Sequence, residues 1–229
     1  MAYIIGIMGE SGAGKTTSLR NLPPEETLYI DCDGKGLAWR GWRQQYKALA
    51  RTEGGSFTGN YTTALSKTTG LVDKDTVLKM LAWANAVPQF KYVVVDTING
   101  IMVDDEMARM NEKGYDKWAD LAGAVYHIIS YAEKSMREDM TVIFVAHTQT
   151  DRDDFGNSWT RIKTNGRKLD KIVLESKFPV ILHARCIDGQ YVFETRANNS
   201  TAKTPMGAFE EMTVPNDIMM VLERLEEYR

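Results

Sequence analysis

The chain has little cysteine, little histidine, no excess of positive charge and no long apolar run. Its two cysteines, Cys32 and Cys186, are too few for a disulfide framework and have no metal-ligand spacing. Both sit in apolar, strand-like runs, so they are expected to be buried thiols in a reducing compartment. The three histidines are scattered, which excludes a histidine-based metal motif. A net charge of −3 provides no global field for nucleic acid, so any such contact must come from a local patch. Tyr3 to Met8 is too short for the apolar core of a signal peptide, and no stretch approaches the length of a membrane span. A cytoplasmic protein without a membrane partner is the expectation. With 43% apolar and 26% charged residues, the 229-residue chain has enough material for a full globular core.

What the chain does have is GESGAGKT, Gly9 to Thr16, directly after the apolar run YIIGIM. Gly, four residues, Gly, Lys and Ser/Thr between a strand and a helix is the P-loop pattern. Gly9, Gly12 and Gly14 let the backbone curl so that the N–H groups from Glu10, Ser11 and Ala13 through Thr17 converge on phosphate oxygens. Lys15 brings a point charge to the β- and γ-phosphates, and the Thr16 hydroxyl is a ligand for Mg²⁺. The segment TTSLRNL behind the loop is expected to be a helix, ending near Pro23-Pro24, with its positive end toward the same anion.

Further strands are expected over Thr27 to Gly36, Phe90 to Gly100 and Met140 to Gln149, with two more in Phe178 to Arg196 around a tight Asp188-Gly189 turn. Helices are expected over 37–51, from an Asp75 cap to about Val87, over 101–113, 116–137 and 216–228. Residues 52–73 and 150–171 read as loops. The alternation implies an α/β fold: a mostly parallel sheet flanked by helices, with a C-terminal antiparallel hairpin. The first strand starts almost at the initiator Met, so one domain over 1–229 is expected, its core about 1–196 followed by a loop and helix over 197–229.

Ligands in such sheets sit at the carboxyl ends of the strands, where Gly9, Asp33, Asp96 and His147 fall. VVVDT with Asp96 is the expected partner of a P-loop, its carboxylate holding Mg²⁺ from the neighbouring strand. Thr97 either supports that shell or caps the next helix. Asp31 and Asp33 stand where a carboxylate orients an attacking water, although Asp33-Gly34 also fits a solvated turn. His147 is placed to sense the γ-phosphate, with Gln149 as its competitor. Arg40, Arg43, Lys47 and Arg51 alternate with Trp39, Trp42 and Tyr46. That stretch is either a core-packed helix with solvated cations or a subunit or DNA surface.

The P-loop, LYIDCD, YVVVDT and VIFVAH, in this order, resemble the ATPase core of the RecA/RadA recombinases. That resemblance implies a RecA-like P-loop NTPase, an ATPase using ATP and Mg²⁺. Gly9 to Thr16 would bind nucleotide, Thr16 and Asp96 the metal, and Lys15, His147 and Asp33 would act in catalysis. Asp33 falls where the family has a Glu, one methylene longer, and this departure bears on the rate of hydrolysis. The short chain is most similar to small phage-encoded RecA-like ATPases associated with single-strand annealing. Work in the host cytoplasm, homo-oligomers and a single-strand-binding partner protein follow from that likeness. The loop after the fourth strand would contact single-stranded DNA through Trp159, Arg161, Lys163, Arg167, Lys168 and Lys171. Read without the resemblance, the same loop is a solvated charged segment. Arg196 and Lys203 are the candidates for a cation reaching a neighbouring subunit's nucleotide. The alternatives are a small P-loop kinase with an Arg-rich lid, and a nucleotide-switch binding module with little hydrolysis.

Overall fold

Strand β1, Tyr3–Gly9, sets the frame because its apolar residues alternate between two buried faces. Ile4 and Met8 join one hydrophobic cluster, Ile5 and Ile7 the other. The computed structural model describes residues 1–66, 68–112, 116–165 and 173–228, without the side chains of 116–119, 121 and 122.

Parallel to β1 run β2 (Thr27–Asp31), β6 (Tyr92–Asp96), β7 (Thr141–Arg152) and β9 (Val180–Ile187). With β5 (Tyr61–Thr62), β10 (Gln190–Glu194) and β11 (Thr213–Pro215), the spatial order is β11-β10-β9-β1-β7-β6-β2-β5. β10 and β11 are antiparallel, which makes the expected edge. Asp188 and Gly189 both have positive φ (52° and 78°), as a two-residue primed hairpin turn requires.

On one face lie α2 (Lys74–Ala86), α3 (Ile98–Ala108) and α4 (Asp116–Ser135), contributing Val77, Leu81, Ile101, Val125 and Ile129 to the first cluster. On the other, α5 (Ile218–Leu225) packs Ile218, Val221 and Leu222 with Leu19 and Leu22 against Ile5, Val94 and Val145. Among the described residues, no helix is long and apolar enough to cross a membrane.

Several expectations are corrected. The segment after the P-loop is a single 3₁₀ turn, Thr17–Leu19, because Ser18 Oγ bonds back to the Lys15 carbonyl (2.6 Å) and two prolines follow closely. Residues 37–51 hold only one helical turn, α1 (Trp42–Gln45); Trp39, Trp42 and Tyr46 gather instead around Tyr29 and Tyr61. This favours the packing alternative for those aromatics. Helix α2 is capped by Asp73, not Asp75: its carboxylate accepts from the N–H groups of Asp75 (3.3 Å) and Thr76 (3.0 Å). Residues 52–73 carry β4 (Phe57–Thr58), paired with β3 (Ala50–Arg51), as well as β5. The supposed loop after the fourth strand begins as a hairpin: β7 runs on to Arg152 and pairs antiparallel with β8 (Ser158–Ile162). Asp153 closes that turn by accepting from Phe155 N and Asn157 N (3.0 and 2.8 Å). Cys32 is buried, but Cys186 is exposed, in the part of β9 that extends past β1 and pairs with β10.

A candidate nucleotide-binding site

The register brings the carboxyl ends of four strands to one edge: Gly9 opposite His147, Asp96 opposite Val145, and Asp31 opposite Asp96. Asp96 does not stand on the strand next to β1, as the sequence implies; β7 lies between, carrying His147 into the gap. A cleft of about 460 Å³ opens over this edge, lined by Gly12, Lys15, Thr16, Asp33, Asp96 and His147 among others.

Gly12 and Gly14 adopt φ of +80° and +88°, which only glycine takes without strain. Gly9 is needed for a different reason, since a Cβ there would lie 2.7 Å from the Ala184 carbonyl oxygen. The Lys15 ammonium is buried and donates to the Gly9 and Glu10 carbonyls (2.8 and 2.7 Å), with His147 Nδ1 at 3.5 Å. Burial lowers its pKa to about 8, against the opposing pull of Asp96 and Asp33. An anionic ligand would restore the charge that burial disfavours. Burial, together with the Lys15 charge, also lowers the His147 pKa, so the imidazole is neutral at pH 7. With the ammonium as donor, Nδ1 is the acceptor and Nε2 carries the hydrogen.

Asp96 Oδ2 accepts from both Thr16 Oγ1 (2.8 Å) and Tyr29 OH (2.6 Å). Its pKa rises to about 6 through burial, opposed by those two bonds and reinforced by Asp33 and Asp31. Among the described residues, no three His, Cys, Asp or Glu side chains form a metal cage. Thr16 and Asp96, bonded to each other, supply hard oxygen donors, which fits Mg²⁺: it commonly uses one or two carboxylates plus substrate phosphates and water.

Asp31 and Asp33 divide their work. Asp31 is consumed by its own turn, accepting from Gly34 N (2.9 Å), Gly36 N (2.7 Å) and Tyr61 OH (2.7 Å). Asp33 remains at the cleft, held by Thr97 Oγ1 (3.0 Å) and by exposed Lys35 (2.8 Å). Of its two alternatives Thr97 takes the cap, since the same oxygen accepts from Gly100 N at the start of α3 (3.1 Å), and its hydroxyl donates to Asp33 rather than to Asp96. Gly100 permits the close approach; a Cβ there would meet Asp33 Oδ1 at 2.6 Å.

Residues 1–205 match the AAA domain family. The chain belongs to that family of P-loop ATPases. No curated protein matches the sequence. Membership in the AAA domain family brings ATP binding with it and agrees with the parallel sheet, the loop and the Thr16–Asp96 pair.

The other expected residues of this AAA domain divide between the cleft and its surroundings. Ser11, Gly14 and Thr17 line the cleft, whereas Glu10 and Ala13 face a second cavity across the loop. Gln149 is not brought into the cleft: its amide bonds Asp151 (3.1 Å) and the Thr164 N–H (3.3 Å) within the hairpin. Arg196 is exposed away from the cleft and donates to the Glu210 carbonyl. Lys203 donates to the Glu175 carbonyl at 2.7 Å. In the hairpin, Trp159 is 41% exposed, whereas Arg161 is ion-paired with Asp151. Lys163 borders a cavity next to the cleft. Arg167, Lys168 and Lys171 lie outside the described residues.

Sequence reasoning missed Tyr29, Lys35, Asn99 and Tyr191. Asn99 is buried three residues past Asp96: its Oδ1 accepts from His147 N (2.7 Å) and its Nδ2 donates to Lys163 O (2.9 Å). Position offered a clue only for Tyr29, two residues before Asp31 on an inward strand face.

Proposed function

We propose that this AAA-domain chain hydrolyses ATP with Mg²⁺ and couples turnover to single-stranded DNA in recombination or strand annealing. The observation that carries the ATPase part is the convergence of Lys15, Thr16, Asp96, Asp33 and His147 on one cleft. Thr16 and Asp96 would hold Mg²⁺, which would supply charge neutralisation at the terminal phosphates. Lys15 then holds the terminal phosphates, and the neutral His147 donates from Nε2 to the γ-phosphate. Asp33 orients a water for in-line attack, its own position fixed by Thr97. The Asp33 carboxylate is one methylene shorter than the Glu of the recombinase pattern, so slow basal turnover is part of the reading.

The DNA part rests on the hairpin that rises directly from His147, with Trp159 free to stack on a base and Lys163 at its return. Arg161 contributes little net charge while Asp151 neutralises it. Homo-oligomers that bring a cation to the neighbouring cleft, a single-strand-binding protein partner, and a phage protein working in the host cytoplasm complete the proposal. ATP hydrolysis measured with and without single-stranded DNA, at low and moderate salt, tests it. Stimulation that fades with salt is the expected result, and a flat response would remove DNA from the function.

One observation favours a kinase as second reading. A cavity of about 520 Å³ adjoins Asp33 and His147 and contains Asn99, Asp104 and Lys163. It has room for a phosphoryl acceptor, and a phosphorylated small molecule among the products would identify one.

A further inference from the structure

The geometry points to Tyr191 as the platform on which the base of the nucleotide stacks. The inference rests on reading the cleft as a nucleoside triphosphate site and adds the part of the ligand that the P-loop does not touch.

Tyr191 is the second residue of β10, just past the Asp188-Gly189 turn. The tip of the β9–β10 hairpin therefore reaches back over the P-loop. The ring packs on Gly14, the residue immediately before Lys15. A Cβ built on Gly14 would meet a Tyr191 ring carbon at 2.8 Å and Asn216 Oδ1 at 3.1 Å. Gly14 thus has two requirements, its φ of +88° and the room it leaves for this ring.

The fold does not account for the ring. Tyr191 belongs to neither hydrophobic cluster and remains 52% exposed. It nevertheless lines the cleft that contains Lys15, Thr16 and Asp96. The other aromatic-rich group, around Tyr29 and Trp39, is occupied with its own packing. Among the described residues, Tyr191 is the only Phe, Tyr or Trp that lines the cleft. Its neighbourhood is anchored: Asn216 N donates to the Tyr191 carbonyl (3.3 Å), and Arg20, just behind the loop, donates to the Asn216 carbonyl (2.9 Å).

Phosphates held by Lys15 and Thr16 carry their nucleoside out of the cleft, and the ring beside Gly14 is a half-exposed π-face next to those anchors. Stacking on such a face adds affinity for a base whatever the pattern of its edge. The ligand class is a nucleoside triphosphate.

The test compares Mg²⁺–ATP with Mg²⁺–tripolyphosphate, which has the same phosphate chain and no base, by calorimetry on the full chain. In the wild type, ATP should bind more tightly than tripolyphosphate. Tyr191→Ala should weaken ATP by about ten- to a hundredfold, the range of one lost stacking contact, and leave tripolyphosphate where it was. Tyr191→Phe, which keeps the face and loses the hydroxyl, should bind ATP like the wild type. Unchanged ATP affinity in Tyr191→Ala would overturn the inference alone, as would a parallel loss of ATP and tripolyphosphate, which would make the ring a prop for the loop. A wild-type chain that binds neither ligand would overturn the nucleotide reading and this inference with it.

Discussion

Lys15 shows how burial prepares a residue for a ligand. Its charge is disfavoured in the free protein, where the pKa falls from 10.5 to about 8. Between those values the unfolded chain binds more protons than the native one, so this group makes stability rise with pH. Relative to Lys15→Met, the wild type should gain roughly 3 kcal/mol from about pH 8 to 10.5, read from urea midpoints. A pH-independent difference would show that the ammonium is not strained by burial. Tyr29 acts in the opposite sense, stabilising the Asp96 carboxylate by a 2.6 Å bond. Tyr29→Phe should shift the Mg²⁺ requirement of ATP binding to higher concentration, by roughly tenfold, because a bond to a charged group contributes about 1.5–3 kcal/mol. Nucleotide affinity in EDTA should not change; equal affinities at all Mg²⁺ levels would make Tyr29 a packing residue only. At this scale the P-loop was legible because its meaning is local, eight consecutive positions with backbone and charge requirements. The Tyr29–Asp96 bond spans 67 positions and left no mark on local pattern.

At the level of elements, the hairpin of β7 and β8 is tied to the site by one side chain. Asn99 accepts from His147 N and donates to Lys163 O, while Lys163 N donates to His147 O at 2.8 Å. The two ends of the hairpin are thereby fixed to the start of α3, three residues past Asp96. Asn99→Ala leaves the partly buried His147 N–H without its partner and should cost about 1 kcal/mol. Hydrogen exchange should accelerate at the His147 amide while the β6 amides stay protected; uniform protection across both would dissolve the proposed clamp. The strands β1, β6 and β7 were readable as apolar runs buried on both faces. The hairpin was not, since Asp153, Asp154 and Gly156 dominate its centre and its alternation is of polar residues. Residues 37–51 misled in the other direction: Trp39, Trp42 and Tyr46 are spaced as on a helix, but their packing partners, Tyr29 and Tyr61, lie on strands.

For the molecule as a whole, the α/β class and the site's position at the strand ends followed from the order of elements, whereas strand adjacency did not. Only the three-dimensional sheet inserts β7 between the P-loop strand and the Asp96 strand, and that insertion delivers His147 to Lys15. The P-loop accordingly reaches Asp96 through Thr16 across an intervening strand, giving one cleft lined by both Lys15 and Asp33. The measurement that bears most directly on this account is ATP turnover, alongside ATP binding, for the wild type, Lys15→Ala and Asp33→Asn. The account predicts Mg²⁺-dependent turnover in the wild type, loss of both binding and turnover in Lys15→Ala, and retained binding with turnover reduced at least a hundredfold, on the order of a lost general base, in Asp33→Asn. Wild-type turnover in either variant would contradict it.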